Sequence, residues 1–286
     1  MLSWQVYIAI SIVLYATSSV LNKFVARDRP GEFSAFSLQL AGSLALLPFV
    51  KTFPSGQVLW GWTLFASFLY GISSVLFLDA YTKGTVSVLV PLSNFQPVFV
   101  LLIAAAFLNE SFTLQKAIGI ALIVWGAAHL KRAHSLITSA KALAREKSTR
   151  LYMVAMFFFA IARVIDKMVI GSFDTVSYAF VQWFVPSLIV ASYVFLRNES
   201  SRFFRFLKER YPLVIATGIV SVTAYFFFIL SIRQAEVSKV MPLSSFSTLL
   251  SVVMAHYVLK EKMDGRPVAA AVMVAGAALI VMTPMF

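Results

Sequence analysis

The sequence predicts an all-α membrane protein with ten transmembrane helices arranged as two inverted five-helix repeats. Hydrophobic residues make up 60% of the 286 residues and charged residues 13%, and the mean hydropathy is +0.85. Soluble domains contain roughly 45–50% apolar and about 25% charged residues, so this composition fits a chain embedded in a membrane. The helix number follows from the apolar runs, and the repeat follows from motifs that occur twice.

Ten apolar runs are long enough to cross a bilayer, whose hydrocarbon core takes roughly 20 helical residues. In chain order they are residues 4–25, 33–53, 58–81, 86–108, 113–130, 151–170, 175–196, 211–232, 237–259 and 267–284. They lack the period-two alternation of membrane β-barrel strands. The first run has no positive charge before Lys23 and is longer than the apolar part of a secretory signal, so we predict it to be helix one. Cysteine is absent, which excludes disulfides and thiolate chemistry.

A ten-residue motif in the first half recurs in the second half. Val86–Phe95 reads VSVLVPLSNF and Val237–Phe246 reads VSKVMPLSSF, and each is followed by a glutamate, Glu110 and Glu261. The prolines of the two motifs and the two glutamates are displaced by the same 151 residues. Because each half contains five spans, the second half enters the membrane from the opposite side and the repeats are inverted. The predicted organisation is a first repeat at 1–132, a basic linker at 133–149 and a second repeat at 150–286.

Positive charge is concentrated in the loops on one side of the predicted membrane. Eighteen Lys and Arg residues flank the spans on the side where helix one ends, against four on the other side. Cytoplasmic loops carry such an excess, so the sequence predicts a cytoplasmic linker and both termini outside, in the plasma membrane. We expect the basic loops to contact anionic headgroups of the lipid bilayer and no nucleic acid.

Polar residues and prolines interrupt the apolar spans of helices four and nine. They are Pro91, Ser93, Asn94 and Gln96 in helix four, and Pro242, Ser244 and Ser245 in helix nine. A proline inside a helix frees the carbonyl four residues earlier, and broken backbone at membrane depth is tolerated where it packs on protein or lines a watery cavity. The prolines therefore predict either a shared cavity or a structural kink. Helices five and ten carry small residues instead, and they are expected to form packing surfaces or a homodimer contact.

Ionisable and amide side chains inside spans are costly and mark functional sites. The spacing of Arg163, Asp166 and Lys167 places them on one side of helix six, where their net positive charge would suit an anionic or zwitterionic small-molecule substrate. The alternative is an Arg163–Asp166 pair that orients the helix while Lys167 extends to the interface. Asn22 and Lys23 occupy the corresponding positions of helix one. Further predicted site residues are the cavity amides Asn22, Gln39 and Gln182, and Asp79 as the candidate for binding a coupling ion.

One composite motif occurs in both halves: Pro-Leu, a small polar residue and Phe, followed by Leu-x-Glu and a glycine-containing helix. In this respect the chain resembles the EamA-type transporters of the drug/metabolite transporter superfamily over nearly its whole length. The resemblance implies ten helices in an inverted fold, with a central cavity lined mainly by the first four helices of each half and fifth helices at the periphery. It also implies termini in the cytoplasm, opposite to the orientation that the charges indicate.

Several classes of function lack their sequence signatures here. No G-x-x-x-x-G-K-[ST] phosphate loop occurs, and neither H-E-x-x-H nor G-x-S-x-G is present, so we expect neither an ATP-driven pump nor an enzyme. The three histidines share no metal-ligand spacing, and neither a metal nor a cofactor is expected. The sequence therefore predicts a secondary transporter that moves a small polar metabolite, such as an amino acid, nucleoside or organic anion, by alternating access. The alternatives are a divalent-cation channel or transporter on the same fold, or a membrane scaffold that transports nothing.

Overall fold

The computed structural model describes residues 3–54, 56–108, 113–129, 145–235, 237–262 and 266–281. The elements of these ranges are all helical, and we number them so that the broken helices four and nine each have an a and a b segment. They are α1 Trp4–Ala26, α2 Gly31–Leu46, α3 Gln57–Lys83, α4a Val86–Leu92, α4b Phe95–Leu108, α5 Leu114–Ala128, α6 Lys147–Val169, α7 Thr175–Leu196, α8 Ser200–Gln234, α9a Val237–Ser244, α9b Phe246–Leu259 and α10 Arg266–Val281. Each predicted span corresponds to one of these helices. Residues 133–144 of the predicted linker and Glu110 lie outside the described residues, and residues 147–149 of that linker belong to α6.

Five of the described helices are long and apolar enough by themselves to cross a membrane. They are Trp4–Ala26, Gln57–Lys83, the combined α4 segment Val86–Ile103, Thr175–Leu196 and Ser200–Gln234. The apolar parts of α5, α9b and α10 are shorter, and α2 has 16 residues. α6 is long enough, but it carries Arg163, Asp166 and Lys167 in its second half. The partners of these charged side chains inside the bundle explain how α6 tolerates them.

The breaks in helices four and nine lie where the prolines and small polar residues predict them. α4a contains Pro91 and ends at Leu92. Just after it, Ser93 Oγ donates to the Val90 carbonyl at 2.7 Å and Asn94 Nδ2 donates to the Pro91 carbonyl at 2.8 Å. Such side-chain bonds satisfy backbone carbonyls at the end of a helix.

The second break has the same chemistry. Ser245 separates α9a from α9b, and Ser247 Oγ donates to the Ser244 carbonyl at 2.7 Å. The backbone of Pro242 belongs to α9a, whereas its side chain lies outside the described ones. Both breaks therefore occur at equivalent positions of the repeated motif.

Helix packing also follows the repeat. α1 packs mainly on α8, and α6, the first helix of the second half, packs mainly on α3. Each pair joins the first helix of one half to the third helix of the other half, so the two pairs are equivalent. We call them the α1–α8 unit and the α3–α6 unit. α2 packs on α7, and each of these two helices also contacts both units.

The contacts of α1 define the two ends of the bundle. The carbonyl of Trp4 at the beginning of α1 accepts a bond from Ser231 Oγ at 3.4 Å. At the other end, Arg210 donates to the carbonyls of Phe24 and Val25. α1 therefore runs antiparallel to α8 over its whole length, which is about 34 Å for a helix of this size. We refer to the Trp4 end and the Ala26 end of the bundle.

An apolar core lies toward each end of the bundle. The core toward the Ala26 end includes Val25, Phe33, Tyr81, Leu89, Tyr152 and Phe206. The core toward the Trp4 end includes Ile8, Ile165, Phe173, Tyr178, Ile229 and Ile232. Close packing of such side chains is a main source of helix association in lipid. Polar side chains gather between the two cores.

The small residues of α5 and α10 are used in contacts between these two helices. A Cβ atom on Gly276 would lie 2.6 Å from the carbonyl oxygen of Gly119, and one on Gly126 would lie 2.5 Å from Met273 Cγ. The absence of a side chain therefore allows the two backbones to approach closely. This contact lies within the chain, and the homodimer stays a prediction.

Candidate functional site: a central polar cavity

A cavity of about 240 Å³ lies between the two apolar cores. Its described lining comes from the first four helices of each half, and neither α5 nor α10 contributes to it. Eight of the polar residues that the sequence analysis names line it: Asn22, Gln39, Ser93, Gln96, Arg163, Gln182, Ser244 and Ser245. The other predicted polar residues, Asn94, Asp166, Lys167 and Asp79, are not part of its lining.

Arg163 is the one charged residue among the described residues that line the cavity. Its side chain is 12% exposed, and Nη1 lies 3.5 Å from Asp166 Oδ2. Nη2 donates to the hydroxyl of Tyr15 at 3.1 Å. The guanidinium carbon also lies over three aromatic rings, 5.5, 4.8 and 4.3 Å from the centroids of Tyr70, Tyr225 and Phe228. Stacking on rings and a fixed pair of bonds hold the guanidinium in one orientation.

Asp166 lies behind this cation, with a fully buried side chain. Three tyrosine hydroxyls donate to its carboxylate: Tyr70 at 2.5 Å, Tyr178 at 2.6 Å and Tyr225 at 3.2 Å. We call these four residues together with Arg163 the Asp166 cluster. A buried carboxylate needs such donors because its charge is otherwise costly. The cluster joins α6 to α3, α7 and α8, so Asp166 orients helices and compensates Arg163.

Lys167 takes no part in the cavity, although it follows Asp166 in the sequence. Its ammonium donates to the carbonyls of Ile232 and Ala235, at 2.8 and 2.9 Å. These carbonyls lie in the last turn and at the C-cap of α8. The predicted group of three ionisable residues is therefore split, because successive residues of a helix point about 100° apart and meet different neighbours.

The two predicted glutamines differ in the bonds that they make. Gln182 Oε1 accepts from Ser67 Oγ at 2.9 Å, and its Nε2 donates to the Tyr178 hydroxyl at 2.9 Å. Gln39 Nε2 donates to Ser74 Oγ at 2.9 Å, but its buried Oε1 has no hydrogen-bond partner among the described residues. Gln39 thus lines the cavity with one acceptor buried and unpartnered among the described residues, whereas Gln182 supports the Asp166 cluster.

Uncharged groups line the part of the cavity closer to the Ala26 end. Asn22 Nδ2 donates to Ser18 Oγ at 3.3 Å, and Ser18 Oγ lies 2.6 Å from Ser221 Oγ. Ser245 is 5% exposed, and it faces the cavity from the break in helix nine. This region can therefore exchange hydrogen bonds with a polar ligand and carries no full charge among its described side chains.

The remaining predicted residues have structural surroundings. Asn94 is fully buried and bonds to the Pro91 carbonyl, with Thr248 Oγ1 at 3.4 Å. Asp79 is partly buried in α3 outside the cavity lining, and its role in ion coupling stays a prediction. Glu261 accepts bonds from the backbone nitrogens of Val86 and Ser87 at 2.9 and 2.8 Å, so it caps the N-terminus of α4a.

The aromatic lining was not found from the sequence. Phe77, Phe159, Trp183, Tyr225 and Phe228 face the cavity together with Tyr15 and Tyr70. A usable signal exists for the three tyrosines, because tyrosines are enriched at membrane interfaces whereas Tyr15, Tyr70 and Tyr225 lie near the middle of their predicted spans. The phenylalanines and the tryptophan carry no comparable signal, since such residues also fill ordinary apolar surfaces.

A bundle of apolar helices around a central cavity lined by polar and aromatic side chains is an architecture that membrane transporters use. The EamA-like transporter family matches residues 2–130 and 150–283, and the chain belongs to this family, within the drug/metabolite transporter superfamily. Its members are transporters and not enzymes.

Individual proteins are also similar to the chain. An uncharacterized protein of Methanocaldococcus jannaschii is 29% identical over 118 residues, which are 40% of this chain and 85% of that protein. A crystal structure matches with a TM-score of 0.65 and 14% identity, covering 98% of this chain and 97% of the other. At that level of identity the structure supports the fold alone.

Proposed function

We propose that the protein is a secondary transporter that moves a small polar metabolite by alternating access through the central cavity. The two matched family ranges support a description as two repeats, at 1–132 and 150–286 with the linker between them. Five spans in each half make these repeats inverted. The M. jannaschii relative supports the same division, because its matched stretch has about the length of one half.

The position of the cavity carries the mechanistic part of the proposal. A carrier exposes one binding site alternately to the two sides of the membrane, usually by rocking of two helix groups. Here the cavity lies between two apolar cores, one toward each end of the bundle. Separating either core alone would open the cavity to one side while the other core stays packed.

The size of the cavity favours a small metabolite. A volume of about 240 Å³ is below the roughly 300–1,000 Å³ of pockets that hold drug-sized ligands. It corresponds to about eight water molecules at roughly 30 Å³ each. A molecule of amino-acid size therefore fits better than a lipid or a peptide.

The chemistry of the cavity favours a substrate with an anionic group and an apolar part. A guanidinium has five N–H donors, and Asp166 and Tyr15 account for bonds of Nη1 and Nη2. The remaining donors of Arg163 can bind a carboxylate or phosphate at the cavity. Asn22 and Ser245 can exchange hydrogen bonds with an ammonium or hydroxyl, and the aromatic rings can cover an apolar group. An amino acid or an organic anion combines these features.

A divalent-cation pathway has less support. Such ions bind through several oxygen ligands that usually include carboxylates. The described residues that line the cavity include no Asp or Glu, and Arg163 would repel a cation.

We propose further that both termini face outward in the plasma membrane, since the basic loops favour that orientation.

Transport by purified protein in lipid vesicles tests the proposal. We expect saturable uptake of at least one labelled compound from a panel of amino acids, nucleosides and organic anions. Thermal stabilisation of the purified protein by the same panel identifies ligands independently of flux. Arg163→Gln should lose the stabilisation by anionic ligands, while Arg202→Gln, whose side chain is 66% exposed in a surface pair, should keep it. Equal responses of the two variants to every ligand would assign Arg163 to packing alone, and the absence of any saturable flux would contradict the carrier.

A further inference from the structure

Two lysines make the same unusual contact at equivalent positions of the two halves. Lys23 Nζ donates to the carbonyls of Tyr81 and Gly84, both at 2.8 Å. Lys167 Nζ donates to the carbonyls of Ile232 and Ala235, at 2.8 and 2.9 Å. The two acceptors in the second half follow those in the first by 151 residues, which is also the displacement of the repeated prolines. The contact is therefore a repeated feature of the architecture.

Each lysine caps the C-terminus of a long helix. Tyr81 and Gly84 lie at the end of α3, and Ile232 and Ala235 lie at the end of α8. The last carbonyls of a helix have no partner within it, and a cation stabilises the negative end of the helix dipole. Both side chains are half-buried, so water competes weakly for the same carbonyls.

The two contacts lie at opposite ends of the bundle. Lys23 is in the last turn of α1, at the Ala26 end. Ile232 is next to Ser231, which bonds to the Trp4 carbonyl, so Lys167 acts at the Trp4 end. About 28 Å separate residues 4 and 23 along α1. The cavity lies between these two levels.

Each lysine also joins the two packing units of the bundle. Lys23 extends from α1 of the α1–α8 unit to the end of α3 in the α3–α6 unit. Lys167 extends from α6 of the α3–α6 unit to the end of α8 in the α1–α8 unit. Moving the units apart at one end would break the bonds of one lysine and leave those of the other intact.

We propose that Lys23 and Lys167 determine which end of the cavity opens. Lys23 stabilises the closed Ala26 end, and Lys167 stabilises the closed Trp4 end. Loss of either contact shifts the population toward the state that is open at that end. This inference rests on the proposed alternating access and assigns its control to two side chains that do not touch the substrate.

Labelling of a single cavity cysteine tests the proposal. Because the chain has no cysteine, Ser247→Cys gives a unique thiol at the cavity. An impermeant maleimide is added to right-side-out and to inside-out vesicles that contain this protein with either Lys23→Met or Lys167→Met. We expect the ratio of the two labelling rates to move in opposite directions in the two variants. Each shift should be at least about fivefold, the lower limit of typical coupling between sites.

Matched variants separate this effect from general destabilisation. Lys83→Met removes an exposed charge from the same last turn of α3, and Lys51→Met removes one near the Trp4 end; neither should change the ratio. Lys23→Arg and Lys167→Arg keep donors for the carbonyls, so their ratio of labelling rates should be that of the parent protein. The double variant Lys23→Met/Lys167→Met should return the ratio toward that of the parent protein.

Several results would overturn the proposal. Shifts of both lysine variants in the same direction, an unchanged ratio in folded protein, or equal effects of the control variants would each do so. If a methionine variant does not fold, Lys→Gln at the same position provides the measurement. Opposite shifts in protein that shows no saturable flux would support the lysine caps and contradict the transport function, so the two proposals fail separately.

Discussion

Replacing Asp166 by asparagine should be among the most destabilising single changes in the chain. The substitution keeps the size of the side chain but removes the charge that Arg163 and the three tyrosine hydroxyls surround. Breaking a buried ion pair by removing one partner costs about 3–5 kcal/mol, since the other charge stays uncompensated. With a change in Tm of about 2–4 °C per kcal/mol for large domains, we expect Tm to fall by roughly 6–20 °C.

Removing both charges should be less harmful than removing one. The double variant Arg163→Gln/Asp166→Asn leaves no unpaired buried charge, and replacement of a whole buried ion pair is often close to neutral. Its Tm should therefore lie above that of Asp166→Asn. Thermal unfolding of purified protein, followed by tryptophan fluorescence, gives the Tm of each variant and so the order of their stabilities.

A surface pair provides the control for this comparison. Glu209 bonds to Arg29 at 2.6 Å with a side chain that is 43% exposed, and exposed pairs contribute at most about 1 kcal/mol. Glu209→Gln should thus leave Tm within about 2–4 °C of the parent value. A Tm of Asp166→Asn within that same interval, or a double variant less stable than the single one, would refute the reasoning.

Three further predictions address topology, packing and the cavity. Ser139→Cys should be protected from an impermeant maleimide in intact cells and react after permeabilisation; ready labelling in intact cells would reverse the predicted orientation. Gly276→Ala should lower stability by about 1–3 kcal/mol through overpacking against α5, whereas Gly171→Ala, with open space around its Cβ position, should not; equal Tm values would contradict close packing of α5 and α10. Gln39→Leu should weaken stabilisation by ligands with little loss of Tm, and Gln182→Leu should lower Tm itself; the opposite assignment would contradict the different hydrogen bonding of the two amides.

The positions of the helices could be predicted well from the sequence because each helix coincides with an apolar run. The predicted 175–196 coincides with α7, and 4–25 differs from α1 by one residue. The largest difference is at α8, which begins at Ser200 and not at 211. Its first turns carry charged residues that no hydropathy window includes. They are stabilised by contacts such as that of Arg210 with the end of α1.

The partners of the polar residues could be predicted less well. Helical spacing placed Arg163 and Lys167 on one side of α6, but it could not show that α8 ends beside Lys167. Likewise Gln39 and Gln182 are equivalent by sequence, and their difference depends on Ser67 and the Tyr178 hydroxyl. A single sequence shows which residues share one face of a helix, but it does not show which other helices pack against that face. Interior tyrosines were the one available sign of the Asp166 cluster.

Equivalent positions at the two ends of the cavity carry different chemistry, and this has a kinetic consequence for a carrier. Where the second half has Arg163 and Asp166, the first half has Ser19 and Asn22. In the proposed carrier the two ends then need different free energies to open, so the empty protein spends unequal time facing each side. The apparent dissociation constant on a given side is the intrinsic value divided by the fraction facing that side. Half-saturating concentrations measured from the two faces will therefore differ, even where the bound substrate meets the same residues.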